Sequence, residues 1–189
     1  FNSVAAEEEV LITATRGSSK ICEIPFSVSR VDKTEIEKGQ YLNLDESLNQ
    51  IPGLYFSNRY NYSRDLRMSI RGFGARSNFG IRGIKVLIDG IPSTTPDGQT
   101  VLDDLDLSIV KQIEVLRGMS SSLYGSSSGG VVNIISDSGN ELNGGIFNSM
   151  VGDNSFLRNS FKLGNKIEDF DILLNGAHLN YGGYREHSN

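Results

Sequence analysis

Residues 112 to 135 read Gln112-Ile113-Glu114-Val115-Leu116-Arg117-Gly118-Met119-Ser120-Ser121-Ser122-Leu123-Tyr124-Gly125-Ser126-Ser127-Ser128-Gly129-Gly130-Val131-Val132-Asn133-Ile134-Ile135. Two β-prone runs, Gln112 to Leu116 and Val131 to Ile135, flank a loop built almost wholly of Gly and Ser. Gly permits positive φ and close backbone approach, so the loop reads as a shaped connection between two strands. Gly125-Ser126-Ser127-Ser128-Gly129 formally matches the G-x-S-x-G nucleophile elbow. That elbow needs a strand before the serine and a helix after it. Here a strand follows, and both histidines, His178 and His187, lie far downstream. Hydrolase chemistry is set aside.

Working outward, Lys85-Val86-Leu87-Ile88 is a nearly continuous apolar strand closed by Asp89-Gly90 and Pro92. Phe26 to Val31 alternates apolar and polar with period two, and Leu54-Tyr55-Phe56 and Met68 to Arg71 also read as strands. Asp32 with Glu35, and Asn43 with Glu46, give capping patterns for two short helices. Leu44, Leu48 and Ile51 share one face of the second, which Pro52-Gly53 ends. Leu102 to Val110 reads as a short acidic helix or turn. Short strands mixed with short helices give an α+β domain ending near Ser136.

From Gly144 the pattern changes. Ile146 to Val151, Leu157 to Leu163 and Phe170 to Tyr181 are strand candidates, separated by Gly152-Asp153-Asn154 and Gly164-Asn165-Lys166. In the middle run Leu157, Asn159, Phe161 and Leu163 alternate with Arg158, Ser160 and Lys162. One face is mostly apolar and the other wholly polar, which fits a membrane β-barrel strand or an ordinary amphipathic strand. Bacterial barrels need at least about eight strands, so this segment could only begin one.

The net charge of −5 argues against a protein that coats nucleic acid. Cys22 is the single cysteine, so no intrachain disulfide can form. With no second cysteine and distant histidines, a zinc site is not expected, and no metal or cofactor is assigned. Glu7, Glu8 and Glu9 precede the short β-prone run Val10-Leu11-Ile12-Thr13-Ala14, which polar residues follow. Such a run can pair with a partner's sheet or with the domain's own. Between Phe56 and Arg82, Arg59, Arg64, Arg67, Arg71, Arg76 and Arg82 stand against one acid, Asp65. Phe56, Tyr60, Tyr62, Phe73 and Phe79 are interleaved with them. This mixture can bind single-stranded nucleic acid or a small polyanion such as an iron chelate, or can pair with acids of the protein itself.

Ser69-Ile70-Arg71-Gly72-Phe73-Gly74, then Val86-Leu87-Ile88-Asp89-Gly90-Ile91-Pro92, then the opening stretch, stand in an order that closely resembles the plug domain of TonB-dependent outer-membrane receptors. The resemblance runs from about Glu9 to the C-terminus. It implies a flexible segment over 1–20 carrying a Ton box, a plug over 21–138, and over 139–189 about three antiparallel strands opening a transmembrane β-barrel. Glu9, Val10, Leu11, Ile12, Thr13 and Ala14 match the Ton box, which implies binding to the TonB C-terminal domain. Arg71 and Arg117 match two positions that latch the plug to glutamates of its own barrel wall. Arg59, Tyr60, Tyr62, Arg76, Ser77, Asn78 and Phe79, with Thr94, Thr95 and Pro96, fall where apical plug loops meet substrate.

The function so implied is a gate in an outer-membrane importer of a scarce nutrient, a ferric siderophore or other iron complex, with no bond broken and no nucleic acid bound. The alternative is a soluble periplasmic or extracellular module that uses the Arg/aromatic segment on a polyanion.

Overall fold

The computed structural model describes residues 11–12, 19–20, 27–57, 65–102, 105–118, 124–125 and 127–182. Strand β1 (Leu11–Ile12) pairs antiparallel with β2 (Ser19–Lys20), setting Leu11 opposite Lys20 and Ile12 opposite Ser19. Two residues of the apolar run Val10 to Ala14 therefore pair within the chain. Glu9, Val10, Thr13 and Ala14 lie outside the described residues.

The period-two segment forms β3 (Ser27–Asp32), and α1 (Lys33–Ile36) starts directly from it. The second capping pattern precedes α2 (Leu44–Leu48). Neither Asp32 nor Asn43 makes a side-chain bond to its helix end. Helices of one turn have no stability of their own. Burial holds these two, through Ile36, Leu44, Leu48 and the following Ile51.

Strands β4 (Leu54–Ser57) and β5 (Arg67–Ile70) pair antiparallel. Then come β6 (Ile81–Arg82), β7 (Ile84–Ile88), β8 (Ile91–Pro92) and β9 (Gln99–Thr100). Among the described residues of the acidic segment the helix is a 3-10 turn at Leu107–Ile109, and β10 (Val110–Arg117) and β11 (Gly130–Ser136) follow. The main sheet runs β3-β10-β11-β7-β8. It is mixed: β11 and β7 are parallel, and the other neighbours antiparallel. One face, with Val86, Ile113, Val115, Val132 and Ile134, packs on both helices to form the core.

The Gly/Ser loop joins β10 to β11 at their tight end. A Cβ on Gly130, whose φ is +147°, would lie 2.2 Å from the Leu116 carbonyl oxygen. Only glycine lets the returning strand enter there, which is the physical reason for the Gly129-Gly130 pair.

After α3 (Gly139–Leu142) the chain forms a meander of β12 (Gly144–Val151), β13 (Leu157–Ile167) and β14 (Phe170–Asn180). Gly164-Asn165-Lys166 is not the expected separator. Strand β13 runs through it and turns at Glu168-Asp169, with Glu168 at φ +54°. Gly164 lies beneath α3, where a Cβ would stand 2.8 Å from the Gly139 carbonyl oxygen and from Leu142 Cβ. That glycine serves close packing, not a reversal.

The meander is inside out for a water-soluble sheet. Register sets Phe147 opposite Phe161 and Leu163 opposite Leu174, and these four side chains are exposed at 70%, 43%, 50% and 55%. Arg158, Ser160 and Lys162, on the opposite face of β13, are buried against the first domain. Apolar-out and polar-in is the pattern of a strand that meets lipid on one side and a lumen on the other.

Candidate functional site

The polar face of β13 meets the first domain in a cluster of charges. Arg158 lies 2.8 Å from Asp106, its guanidinium 4.9 Å from the ring centre of Tyr41. It also donates to the Ser160 hydroxyl at 3.0 Å. The Asn175 amide of β14 donates to the second Asp106 oxygen at 2.8 Å, and the Ser108 backbone N–H to the first at 2.9 Å. Burial opposes ionisation of Asp106. The bonds from Ser108 and Asn175, with the Arg158 charge, outweigh it and hold the carboxyl below the usual range.

Lys162 pairs with Asp137 at 2.5 Å and donates to the Ser108 carbonyl. Asp137 also receives Lys33 of α1 at 2.8 Å. Nearby, Asp171 of β14 accepts from the Ser138 hydroxyl and from the Asn140 N–H, the latter at 2.9 Å. A cleft of about 300 Å³ remains along this seam, lined by Lys33, Tyr41, Ser108, Asn148, Lys162 and Asn175 among others. Arg158, Ser160 and Lys162 were visible in the sequence as one polar face. Their partners Asp106 and Asp137 were not, because no local pattern joins residues so far apart.

Arg71 and Arg117 come together at another place. The Arg71 backbone, at φ +50°, donates to the Gly53 carbonyl at 2.8 Å. Arg117 donates to the Pro52 carbonyl at 2.8 Å and to the Ser29 hydroxyl at 3.0 Å. Burial, then the charge of Arg71, lowers the pKa of Arg117. Among the described residues neither arginine makes an ion pair.

The loop residues divide by orientation. Arg76, Asn78 and Phe79 are exposed, Phe79 by 70%, and Arg67 braces the loop by donating to the Asn78 carbonyl at 2.6 Å. Ser77 is turned inward, its hydroxyl donating to the Phe79 carbonyl at 2.6 Å. Thr94 is also buried. Its hydroxyl accepts from the Val86 N–H at 3.0 Å and from the Thr100 hydroxyl at 2.7 Å. Thr95 and Pro96 are exposed, with the Thr95 hydroxyl donating to the Gln99 carbonyl at 2.8 Å. Arg59, Tyr60 and Tyr62 lie outside the described residues, as does Arg64. Arg82 faces Asp97 at 3.7 Å and Gln99 at 3.2 Å, so part of the arginine-rich segment is engaged within the domain.

A mixed sheet with short helices, seated by charge on the polar side of an outward-apolar meander, is a plug resting on the first strands of an outer-membrane barrel wall. Residues 20–132 match the family model described as TonB-dependent Receptor Plug Domain, and the chain belongs to that family. It is similar to the Vitamin B12 transporter BtuB of Vibrio vulnificus (strain CMCP6), 26% identical over 195 residues, which cover 95% of this chain and 31% of that protein. Among solved structures it resembles BauA, the ferric preacinetobactin receptor from Acinetobacter baumannii. The TM-score is 0.66 at 20% identity, covering 88% of this chain and 24% of that one. It also resembles the alcaligin outer-membrane receptor FauA from Bordetella pertussis, with a TM-score of 0.63 at 22% identity, covering 88% and 28%. These two likenesses carry the fold alone. The chain spans under a third of the length of the curated relatives it matches. The outer membrane is its location, and nothing found supports the soluble-module alternative.

Proposed function

We propose that the chain is the gate, with the first wall strands, of a TonB-dependent importer of a ferric siderophore or other iron complex. On this reading 1–20 is the tether, 21–138 the gate and 139–189 the start of the wall. The observation that carries it is the seam: a folded plug whose acids meet cations on the lumen side of a lipid-facing sheet. A barrel of roughly 22 strands leaves a wide lumen, so a folded domain must block it.

Cargo meets the exposed residues Arg76, Asn78, Phe79, Thr95 and Pro96, together with Arg59, Tyr60 and Tyr62. The planar donor fork of arginine suits the carboxylates of a chelate. Ser77 and Thr94 support those loops from within. Arg71 and Arg117 latch to acids elsewhere on the wall, which supplies the counter-charge this pair of like charges calls for.

TonB adds its sheet to the segment Glu9 to Ala14 through main-chain hydrogen bonds. To do so it displaces the pairing of Leu11 and Ile12 with Ser19 and Lys20. The membrane potential supplies about 2.3 kcal/mol per charge per 100 mV, delivered as pulling on the tether. Likeness to a vitamin B12 transporter favours a corrinoid as the second reading of the cargo. Titrating ferric chelates and cyanocobalamin against the full-length receptor decides between them. Binding of neither class would overturn the importer reading.

A further inference from the structure

We infer that Arg158 and Lys162 are the wall half of an ionic clasp that keeps residues 106–137 seated while β3 and α1 are drawn away. This rests on the gate reading above and adds which part of the gate stays.

Each ion pair of the seam carries a spare contact to the earlier part of the plug. Lys162 and Lys33 share the single carboxylate of Asp137, at 2.5 and 2.8 Å. If α1 leaves with Lys33, Asp137 still has Lys162, and no charge is stranded in the buried seam. Arg158 likewise touches Tyr41 of the earlier part and Asp106 of the later part. Loss of Tyr41 leaves the ion pair and the bonds from Ser108 and Asn175 in place.

The side-chain hydrogen bonds between β13 or β14 and the plug engage Asp106, Ser108, Asp137 and Ser138 among the described residues. Asp106, Ser108 and Asp137 belong to the later part, 106–137, and Ser138 directly follows it. Topology agrees, because β3 is the edge strand nearest the N-terminus and has one neighbour, β10. Drawing it off breaks one ladder and leaves the pairing of β10 with β11 untouched. Departure of α1 also removes Lys33 and Glu37 from the lining of the 300 Å³ cleft, which widens it along the wall. Breaking one partner of a buried pair is costly because the other charge is left unpaired. The clasp therefore resists any pull that the spare contacts do not.

The test uses the full-length receptor in cells, with entry of vancomycin as the probe and the amount in the outer membrane measured alongside. The wild type excludes vancomycin. Arg158→Asp is expected to lose exclusion or to lose insertion, and Asp106→Arg added to it to recover both. Lys162→Gln is expected to leak, and Lys33→Gln to stay tight, because Asp137 keeps Lys162. Failure of the charge swap to recover, exclusion retained in Arg158→Asp that is inserted at the wild-type amount, or equal leakage from Lys33→Gln and Lys162→Gln would each overturn the clasp. Vancomycin entry involves neither TonB nor cargo. A failed importer reading would thus show in the titrations and leave this result interpretable.

Discussion

Arg158 of the second wall strand and Asp106 of the plug stand 2.8 Å apart, the arginine almost wholly buried and the aspartate about a quarter exposed. Removing one member of such a pair leaves the other charge short of a partner, at a cost of about 3 kcal/mol. Arg158→Ala should destabilise the chain by ~3 kcal/mol, towards the low end because Asp106 retains two hydrogen-bond donors. Combining it with Asp106→Asn should cost less than the sum of the two changes. A thermal-unfolding cycle in detergent measures this, and strict additivity would count against a direct coupling.

Acid should loosen the same contact late. Asp106 has a depressed folded-state pKa, so its contribution is complete above the ordinary carboxylate range and is lost as pH falls through the lower, folded value. Stability of the wild type should hold down to pH ~4 and then fall. Asp106→Asn should flatten part of that fall. Identical pH profiles for the two proteins would remove Asp106 from the account.

The tether offers a test on peptides. A peptide spanning Val10 to Ala14 should bind a TonB C-terminal domain, and replacing Leu11 with Pro deletes one backbone donor. The loss expected is about 1 kcal/mol in affinity, read by isothermal titration. Equal affinities would exclude strand addition at Leu11.

For Arg71 the prediction is an asymmetry. In this chain Arg71 is exposed and makes no ion pair among the described residues, so Arg71→Ala should change stability by no more than ~0.5 kcal/mol. In the complete receptor the same change should cost more, since the latch acids would then be present. A large loss of melting temperature in the short chain would sink the latch.

Gly139 should tolerate nothing larger. A Cβ there would fall 1.9 Å from the Ile172 carbonyl oxygen, and backbone cannot yield as a side chain can. Gly139→Ala should cost ~1–3 kcal/mol by forcing α3 off β14. A wild-type melting temperature would show that α3 does not pack as described.

Much of the architecture could be read from residues alone, for identifiable reasons. Val86 to Ile88, Ile113 to Leu116 and Val131 to Ile135 are short β-prone runs rich in Val and Ile, interrupted only by Glu114 and Asn133, and all became strands of the main sheet. The alternation of Leu157 to Leu163 was equally plain, although which face packed on the first domain required the folded chain. Gly164 misled because glycine marks turns and close contacts alike, and here it lies under a helix. Ser77 and Thr94 were grouped with the loop ligands because sequence shows where a hydroxyl sits and not which way it turns. The seam acids were hidden for a related reason: ion pairing across dozens of residues leaves no periodic trace.

The outward row of Phe147, Phe161, Leu163 and Leu174 has a bench-side corollary. Taken from its bilayer into plain buffer, this sheet would present neighbouring molecules with a greasy panel and an unpaired rim, and copies would clump through both. Micelles or nanodiscs are thus part of the sample itself, and turbidity without them would report on the missing solvent rather than on a misfolded plug.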